Sequence, residues 1–410
     1  CIKKSSFIRN VINKCIIRRF YQHKLYYIQR ISLMKRPQLV HFLCIMTDTN
    51  ISIKASVTLK DSKFQMSGNQ LLEGELPGAR FPIQAYRLLN SYQFIMKLVG
   101  LGKDHKLCYK KVFESDSFGN FNFKIPLTEN SRDIEMFQIY EVSRSPGLDL
   151  HMGSYIPLKI QGEKKLVICD FDKTLVETRY SSTKELYNSL TRPIEYFPTL
   201  AESLKILKNT INQDFHPFIL SASPHFYEEA MRDWLYKNEI YSAGIFLKDY
   251  RQILSFFDGE LTPKDLKSQG LYKMNHLIDI LLMTGIPDEL TLMGDNFESD
   301  PVIYLTLSML LYDDYDPWHL WSQLKKQDAF LLSKKQDAKF LNKIYQLSSL
   351  VSEQKKIKKD LNVLIYIRKR NLEDCIEVPD FFKKRQNLIQ TYLGETNTDE
   401  LDFSTISTEK

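Results

Sequence analysis

The chain has 410 residues, enough for two or three domains, and its apolar fraction of 43% and charged fraction of 26% are those of a globular protein. A net charge of +6 is small for this length and argues against a nucleic-acid-binding protein. The six cysteines form no CxxC pair, which argues against a zinc site and favours a reducing compartment, so we expect a cytoplasmic protein. No apolar run reaches the length of about 18 residues that a transmembrane helix needs.

Residues 1–50 are predicted to be a basic, poorly ordered N-terminal extension. Ten Lys or Arg residues and no acidic residue precede Asp48. Further interpretations stay open at this point, among them a lipid-modified N-terminal Cys1. The segment could be a targeting segment, a membrane-surface helix, or an over-extended reading frame with Met34 or Met46 as the natural start.

Residues 51–160 are predicted to be a β-sandwich-like module. Alternation of apolar and polar residues predicts short strands, and the turn 116–120 with the alternation after it is typical of a hairpin. The other predicted strands are 52–59, 82–87, 134–142 and 154–160. No catalytic constellation occurs here, so the module is either structural or a docking element for a partner or a lipid.

Residues 161–314 alternate strand-length and helix-length segments, which predicts an α/β domain with a doubly wound parallel sheet. The strongest strand is the apolar run 166–169, which is typical of a strand buried on both faces. The remaining elements are predicted at 198–209 (helix), 217–220 (strand), 226–236 (helix), 243–247 (strand), 273–283 (helix) and 290–293 (strand).

Residues 315–410 are predicted to be a basic helical tail with a disordered end after Gly394. The segment 318–366 has a helical composition, and the sequence at 325–329 recurs at 334–338. A basic helix can lie on an anionic membrane, so we expect peripheral membrane contact through the basic ends as one option. A solvated surface helix is the alternative.

Polar and charged side chains follow three of the predicted strands. Asp170 and Asp172 come directly after the strand 166–169, Ser221 ends the next strand, and Asp295 follows the last one. In open α/β folds, ligands bind at the carboxyl ends of the strands. Two carboxylates this close are costly unless one is protonated or a cation lies between them, and a divalent ion is the simplest solution.

These residues also carry a resemblance. Asp-Phe-Asp-Lys-Thr at 170–174, Ser221 at a strand end, Lys273 at a helix start and Gly294-Asp295 through Asp300 resemble, in order, the four motifs of the haloacid-dehalogenase-like (HAD) phosphatases. The segments 221–224, 244–250, 272–273 and 294–304 further resemble the catalytic domain of the actin-patch-associated phosphatidate phosphatases.

The resemblance covers about residues 164–312 and is not complete. Phe171 and Lys173 replace the second and fourth residues of the usual opening motif, and Asn296 and Phe297 replace the usual Ser-Gly. None of these changes removes a catalytic group. The resemblance therefore implies an HAD-like fold and a phosphatase that uses an aspartyl-phosphate intermediate.

The resemblance also implies Mg²⁺ as the cofactor. Asp170, Asp295 and Asp300 are its expected ligands, together with the backbone carbonyl of Asp172. Asp170 is the expected nucleophile. Asp172 is expected to protonate the leaving oxygen and then to activate the hydrolytic water.

The remaining site residues have expected roles in binding and positioning. Ser221 is expected to hydrogen-bond the transferring phosphoryl group, and Lys273 to offset the charge of its transition state. Thr174 is expected to orient the loop after the first strand. Ser223 is either a second phosphate contact or the cap of the following helix.

The substrate is expected to be a phosphorylated lipid, phosphatidate above all. Only 46 residues separate Thr174 from Ser221 and 51 separate Ser221 from Lys273, so neither gap holds a full cap domain. An open site suits a lipid headgroup or a phosphoprotein. The alternatives are a phosphatase for a soluble phosphoester or a nucleic-acid end, and a catalytically silent scaffold that binds partners.

Overall fold

The computed structural model describes residues 35–61, 93–142, 149–178, 197–224, 227–241, 243–248, 269–297, 299–327, 330, 334–357 and 361–394. These residues form a mixed α/β structure with one six-stranded sheet and two four-stranded sheets. No helix within these ranges is both long and apolar enough to cross a bilayer.

The strands before residue 160 are β1 Lys35–Met46, β2 Asn50–Asp61, β3 Ile95–Leu101, β4 Leu107–Glu114, β5 Asn120–Pro126, β6 Met136–Glu141, β7 Leu150–Tyr155 and β8 Leu158–Lys159. The later strands are β9 Lys165–Asp170, β10 His216–Pro224, β11 Gly244–Lys248, β12 Glu289–Asp295, β13 Asn362–Lys369 and β14 Ile389–Leu393. The α-helices are α1 Glu129–Arg132, α2 Ala201–Ile211, α3 Glu228–Lys237, α4 Gln269–Thr284, α5 Asp300–Leu311, α6 Pro317–Leu324 and α7 Lys334–Ile357. Short 3₁₀ helices span Lys103–His105 and Asp380–Leu388.

The six-stranded sheet has the order β11-β10-β9-β12-β13-β14, and all its strand pairs are parallel. Alternate side chains of β9 enter two different hydrophobic clusters, Leu166 and Ile168 on one face and Val167 and Cys169 on the other. Helices α4, α5 and α7 contribute to the first cluster, and α2 and α3 to the second. Because both faces are covered, the four central residues of β9, Leu166 to Cys169, are all apolar, and the predicted parallel sheet is confirmed.

The strand order reverses at β9. The chain passes from β9 to β10 and β11 on one side and then returns to form β12 on the other side. The carboxyl ends of β9 and β12 therefore face a crevice from which the connections leave in opposite directions. Such a switch point is where open α/β sheets bind ligands.

The C-terminal region departs from the predicted helical tail. Helices α6 and α7 agree with the prediction, but β13 and β14 extend the parallel sheet beyond residue 314. Val363, Ile365 and Ile367 of β13 are almost fully buried. Charged residues on both sides of this short apolar run conceal it in the composition, so the prediction of helix up to residue 366 was wrong for the strand.

The N-terminal extension predicted at 1–50 also needs correction, because residues 35–46 form β1 and β2 begins at Asn50. The average composition of the segment is basic, and this obscured the apolar half of β1. Residues 1–34 lie outside the described part. The predicted strand 82–87 lies outside it as well.

The two four-stranded sheets have the orders β5-β2-β1-β8 and β4-β3-β6-β7 and share one hydrophobic cluster. The region also contains α1, whose Thr128 and Ser131 form a reciprocal capping box, so it is not purely β. Strand β1 contributes side chains to two hydrophobic clusters. Phe42, Cys44 and Met46 pack between the N-terminal sheets, whereas Leu43 and Ile45 pack with the parallel sheet.

Ion pairs of one aspartate join helix α4 to strand β2 and to helix α7. Asp279 of α4 accepts hydrogen bonds from Lys54 of β2 at 3.1 Å and from Lys343 of α7 at 2.6 Å. Burial raises the pKa of the Asp279 carboxyl, but the two lysines outweigh this effect and hold the pKa below its ordinary value.

Asp279→Asn should therefore lower the free energy of unfolding by roughly 2 kcal/mol, less than the roughly 3–5 kcal/mol of fully buried pairs because the lysines are partly exposed. The Asp279 carboxyl has a lower pKa in the folded protein than in the unfolded chain, where the pKa is about 4. Its ion pairs therefore stabilise the folded protein fully above about pH 4, and this stabilisation is lost as the pH falls below that value towards the folded pKa. Urea unfolding at pH 7 and pH 3 measures both effects. Asp380→Asn, in an exposed pair with Lys383, is the control and should change little; equal losses in both variants would contradict the role of Asp279.

Candidate active site

Three buried carboxylates meet at the carboxyl edge of the parallel sheet. Asp170 is the last residue of β9, Asp295 is the last residue of β12, and Asp300 is the first residue of α5. One carboxylate oxygen from each lies within 4.8 Å of the others, and all three residues are at most 1% exposed. Two strand ends and the start of α5 thus bring together the three carboxylates predicted to be metal ligands.

Lys273 lies inside this acidic cluster. Its Nζ is 3.2 Å from Asp170 Oδ2 and 2.6 Å from Asp300 Oδ1, and the residue is 2% exposed. The residue belongs to the second turn of α4 and does not open the helix as predicted, because the helix begins at Gln269. A single ammonium group offsets at most one of three carboxylate charges, so the cluster favours a further cation.

Asp172 and Ser221 form a second part of the site. Ser221 Oγ donates a hydrogen bond to Asp172 Oδ2 at 2.8 Å, and the Ser223 backbone amide donates to Ser221 Oγ at 3.0 Å. The Tyr272 hydroxyl donates to the Ser221 carbonyl. Ser223 is buried, and Tyr227 directly precedes the first residue of α3. Both roles expected for Ser223, the phosphate contact and the helix cap, stay predictions.

The loop after β9 is a tight turn that presents Asp172. The backbone amides of Leu175 and Val176 both donate to the Phe171 carbonyl, at 2.9 and 3.2 Å. Lys173 has a φ of +60°, in the left-handed region that is unfavourable for a residue with a side chain. Thr174 is fully buried, and its Oγ1 has no hydrogen-bond partner among the described residues. The role predicted for Thr174 thus remains a prediction.

The loop after β12 is shaped by a glycine. A Cβ atom on Gly294 would lie 2.4 Å from Asp300 Oδ2 and 2.7 Å from the Tyr304 ring, so a larger residue would displace the carboxylate. Asp300 Oδ2 accepts a hydrogen bond from the Asp295 amide at 3.2 Å, and Asp295 Oδ1 accepts one from the Phe297 amide at 2.5 Å. These contacts fix the direction of both carboxylates.

Two basic residues at neighbouring strand ends were not assigned a role from the sequence. Lys248 ends β11, is 8% exposed, and lies 5.9 Å from the centre of the Tyr272 ring. Burial lowers the pKa of Lys248 to about 8. Arg368, near the end of β13, is 3% exposed and contacts the loop after β9. A basic residue after an apolar run is the signal that could have indicated both.

The donor set fits a magnesium ion. Carboxylate oxygens are the ligands that Mg²⁺ prefers in proteins, and its sites often combine a few carboxylates with water. Asp170, Asp295 and Asp300 supply three such groups within 4.8 Å. The described residues offer no Cys or His in this cluster, so softer metals are disfavoured.

Residues 165–313 match the model of a family described as phosphatidate phosphatase APP1, catalytic domain. This matched segment (the APP1 segment) is similar to that catalytic domain and comprises less than half of the chain. The APP1 segment contains β9–β12 and every site residue predicted from the sequence, from Asp170 to Asp300. It does not include the N-terminal sheets, β13 or β14.

Other comparisons add no close relative. A comparison with curated proteins finds no match. A calcium-binding mutant of Bacteroides uniformis β-glucuronidase 2 aligns at 8% identity and a TM-score of 0.22, covering 82% of this chain and 33% of that chain. A glycosyl hydrolase family 2 member from Bacteroides cellulosilyticus aligns at 8% identity and a TM-score of 0.21, covering 82% of this chain and 41% of that chain. The chain thus spans less than half the length of these proteins, and such low similarity does not bear on its fold or function.

Proposed function

We propose that the chain is a Mg²⁺-dependent phosphatase with an HAD-like fold, which hydrolyses a phosphate monoester through an aspartyl-phosphate intermediate. The buried cluster of Asp170, Asp295, Asp300 and Lys273 within the APP1 segment carries this proposal. The reversal of strand order beside β9 supports it, since it opens a binding crevice above these residues. The interpretation of residues 51–160 as a separate sandwich-like domain also stays a proposal.

Asp170, Asp295 and Asp300 would hold the metal ion, with the backbone carbonyl of Asp172 as the further ligand expected from the sequence. When bound, Mg²⁺ would offset the negative charge of the phosphate dianion and of the carboxylates around it. Without that compensation, a phosphate dianion would be repelled by the three buried carboxylates.

Asp170 is the proposed nucleophile. Its carboxylate oxygen forms a bond to phosphorus while the bond from phosphorus to the ester oxygen breaks. Asp172 gives its proton to that leaving oxygen. In the second step Asp172 takes a proton from water, the water oxygen bonds to phosphorus, and the bond to Asp170 breaks, which releases inorganic phosphate. Both carboxylates return to their starting states.

Ser221 and Lys273 support this chemistry by position and charge. The hydrogen bond from Ser221 to Asp172 orients the acid, and Ser221 and Ser223 are the proposed contacts of the phosphoryl oxygens. Lys273 contacts the nucleophile at 3.2 Å, so its ammonium can also reach the equatorial oxygens of the transferring group.

Phosphatidate or a related phosphorylated lipid is the proposed substrate. The family description supports this choice. The open site expected from the short gaps stays a prediction, because residues 179–196 and 249–268 lie outside the described part. Peripheral contact with a membrane through the basic ends is part of the same proposal, although residues 1–34 and 395–410 are likewise outside the described ranges.

The test is phosphate release from phosphatidate in mixed micelles and from p-nitrophenyl phosphate, with Mg²⁺ present and Asp170→Asn as the control. Release from phosphatidate that is lost in the variant is the expected result. Release from the small ester alone would retain the chemistry and reject the lipid substrate. No release from either substrate would favour another phosphoester or the binding-scaffold alternative.

A further inference from the structure

Arg368 lies between the two acidic loops of the site, although it is outside the APP1 segment. Its strand β13 is the parallel neighbour of β12, and Arg368 is in register with Asp295. The Arg368 carbonyl accepts a hydrogen bond from the Asn296 amide at 3.0 Å, in the loop after β12. Its side chain instead extends to the loop after β9. One residue thus connects both loops.

The guanidinium group of Arg368 donates hydrogen bonds to two acceptors. One terminal nitrogen donates to the Lys173 carbonyl at 2.5 Å, and the other pairs with the Glu177 carboxylate at 2.5 Å. The Arg368 side chain is 3% exposed and that of Glu177 is 15% exposed, so the pair is largely shielded from water. A planar guanidinium with two fixed partners holds its acceptors more rigidly than an ammonium group would.

The Lys173 carbonyl belongs to a residue with an unfavourable backbone conformation. Lys173 has a φ of +60° and lies directly between Asp172 and Thr174. A residue in the left-handed region returns to a more favourable conformation unless its surroundings prevent this. A rotation here would move the adjoining Asp172, whose carboxylate is held by Ser221 at 2.8 Å.

The space for this side chain comes from the end of the last strand. A Cβ atom on Gly394 would lie 2.1 Å from Arg368 Nε, so only glycine fits there without displacing the guanidinium. Strand β13 therefore carries Arg368, and the glycine after β14 leaves the space that its guanidinium occupies. The guanidinium packs against protein on these sides and acts through Lys173, not by touching the substrate.

We propose that Arg368 is a positioning residue, which fixes the loop carrying Asp172 relative to the loop carrying Asp295. This inference rests on the proposed phosphatase function for its effect on turnover. Its structural part, the clamping of the loop after β9 by a residue of the C-terminal strand pair, is independent of the substrate.

The decisive experiment compares Arg368→Ala and Arg368→Lys with Arg385→Ala. Arg385 forms a similar two-point pair with Asp314 at 2.7 and 2.9 Å, away from the site. Arg368→Ala should lower kcat by about 10²-fold and leave KM within about 3-fold, because misplacing a catalytic group by about 1 Å costs this much. Arg368→Lys should recover part of the loss, and Arg385→Ala should leave both constants unchanged.

Two further measurements separate positioning from general destabilisation. Millimolar guanidinium, far below denaturing concentrations, should restore part of the kcat of Arg368→Ala and have no effect on Arg385→Ala. Hydrogen exchange in the wild-type protein should be slow at the Leu175 and Val176 amides, and Arg368→Ala should accelerate it there selectively. Unchanged kcat with unchanged exchange, or a loss confined to KM, would overturn the inference.

The outcomes also distinguish this inference from the proposed function. If the wild-type protein releases no phosphate, the proposed function fails, while hydrogen exchange still tests the clamp. If Arg368→Ala does not fold, Glu177→Gln removes the charged partner with little change in shape, and Gly394→Ala displaces the guanidinium from the other side. Both should accelerate exchange at the same amides, and unaltered exchange in both would reject the clamp.

Discussion

Asp170→Asn should abolish phosphate release and leave the protein folded. Loss of a covalent nucleophile should lower kcat by at least about 10³-fold. The metal-free variant should be no less stable than the wild-type protein, because the substitution removes one of three buried like charges and Lys273 keeps its closer partner, Asp300, at 2.6 Å. Phosphate release and thermal unfolding in EDTA measure the two effects.

The control for this variant is Asp314→Asn. Asp314 is a partly buried carboxylate held by basic side chains, Lys384 and Arg385, and it lies beyond the other end of α5. Asp314→Asn should lower the unfolding temperature and retain turnover. Phosphate release by Asp170→Asn at a rate near that of the wild-type protein would refute the aspartyl-phosphate mechanism.

Removal of Mg²⁺ should have an effect of comparable size. Protein treated with EDTA should retain less than about 1% of its turnover, and excess Mg²⁺ should restore it. Mg²⁺ should also stabilise the native state, by about 2.7 kcal/mol at a hundredfold excess over its Kd, since the buried cluster of Asp170, Asp295 and Asp300 exists only in the folded chain. Thermal unfolding at increasing Mg²⁺ concentration measures this without any substrate.

Asp295→Asn should abolish the stabilisation by Mg²⁺, while Asp314→Asn should keep it. The Asp295 side chain is fully buried and its Oδ1 is already fixed by the Phe297 amide, so an asparagine can occupy the same place with little rearrangement. Turnover that survives EDTA, or an unfolding temperature of the wild-type protein that does not respond to Mg²⁺, would argue against the metal assignment.

Much of the parallel sheet could be predicted because its strands are locally distinctive. The run Leu166–Cys169 is apolar on both faces, and polar residues begin at Asp170, the last residue of the strand. The sequence alone therefore predicts that Asp170, Ser221 and Asp295 lie at the carboxyl edge of one parallel sheet. The order of strands in the sheet brings these three positions, which are distant in the sequence, to the same edge.

The missed parts depend on partners that are distant in the sequence. Strand β13 has a short apolar core among charged residues, and its identity as a strand depends on β12 beside it. Likewise, β1 alternates between two clusters, one of which belongs to the parallel sheet. Arg368 could be related to the site only once β13 had been placed next to β12. Local composition carries none of this information.

The double role of β1 has a consequence for how the chain folds. Leu43 and Ile45 complete the core of the parallel sheet from outside the APP1 segment, and β13 covers the edge that β12 would otherwise expose. Residues 165–313 therefore do not complete the core of the parallel sheet by themselves. Unfolding of the N-terminal sheets and of the catalytic sheet should be coupled in a single cooperative transition, as expected when two regions share one core.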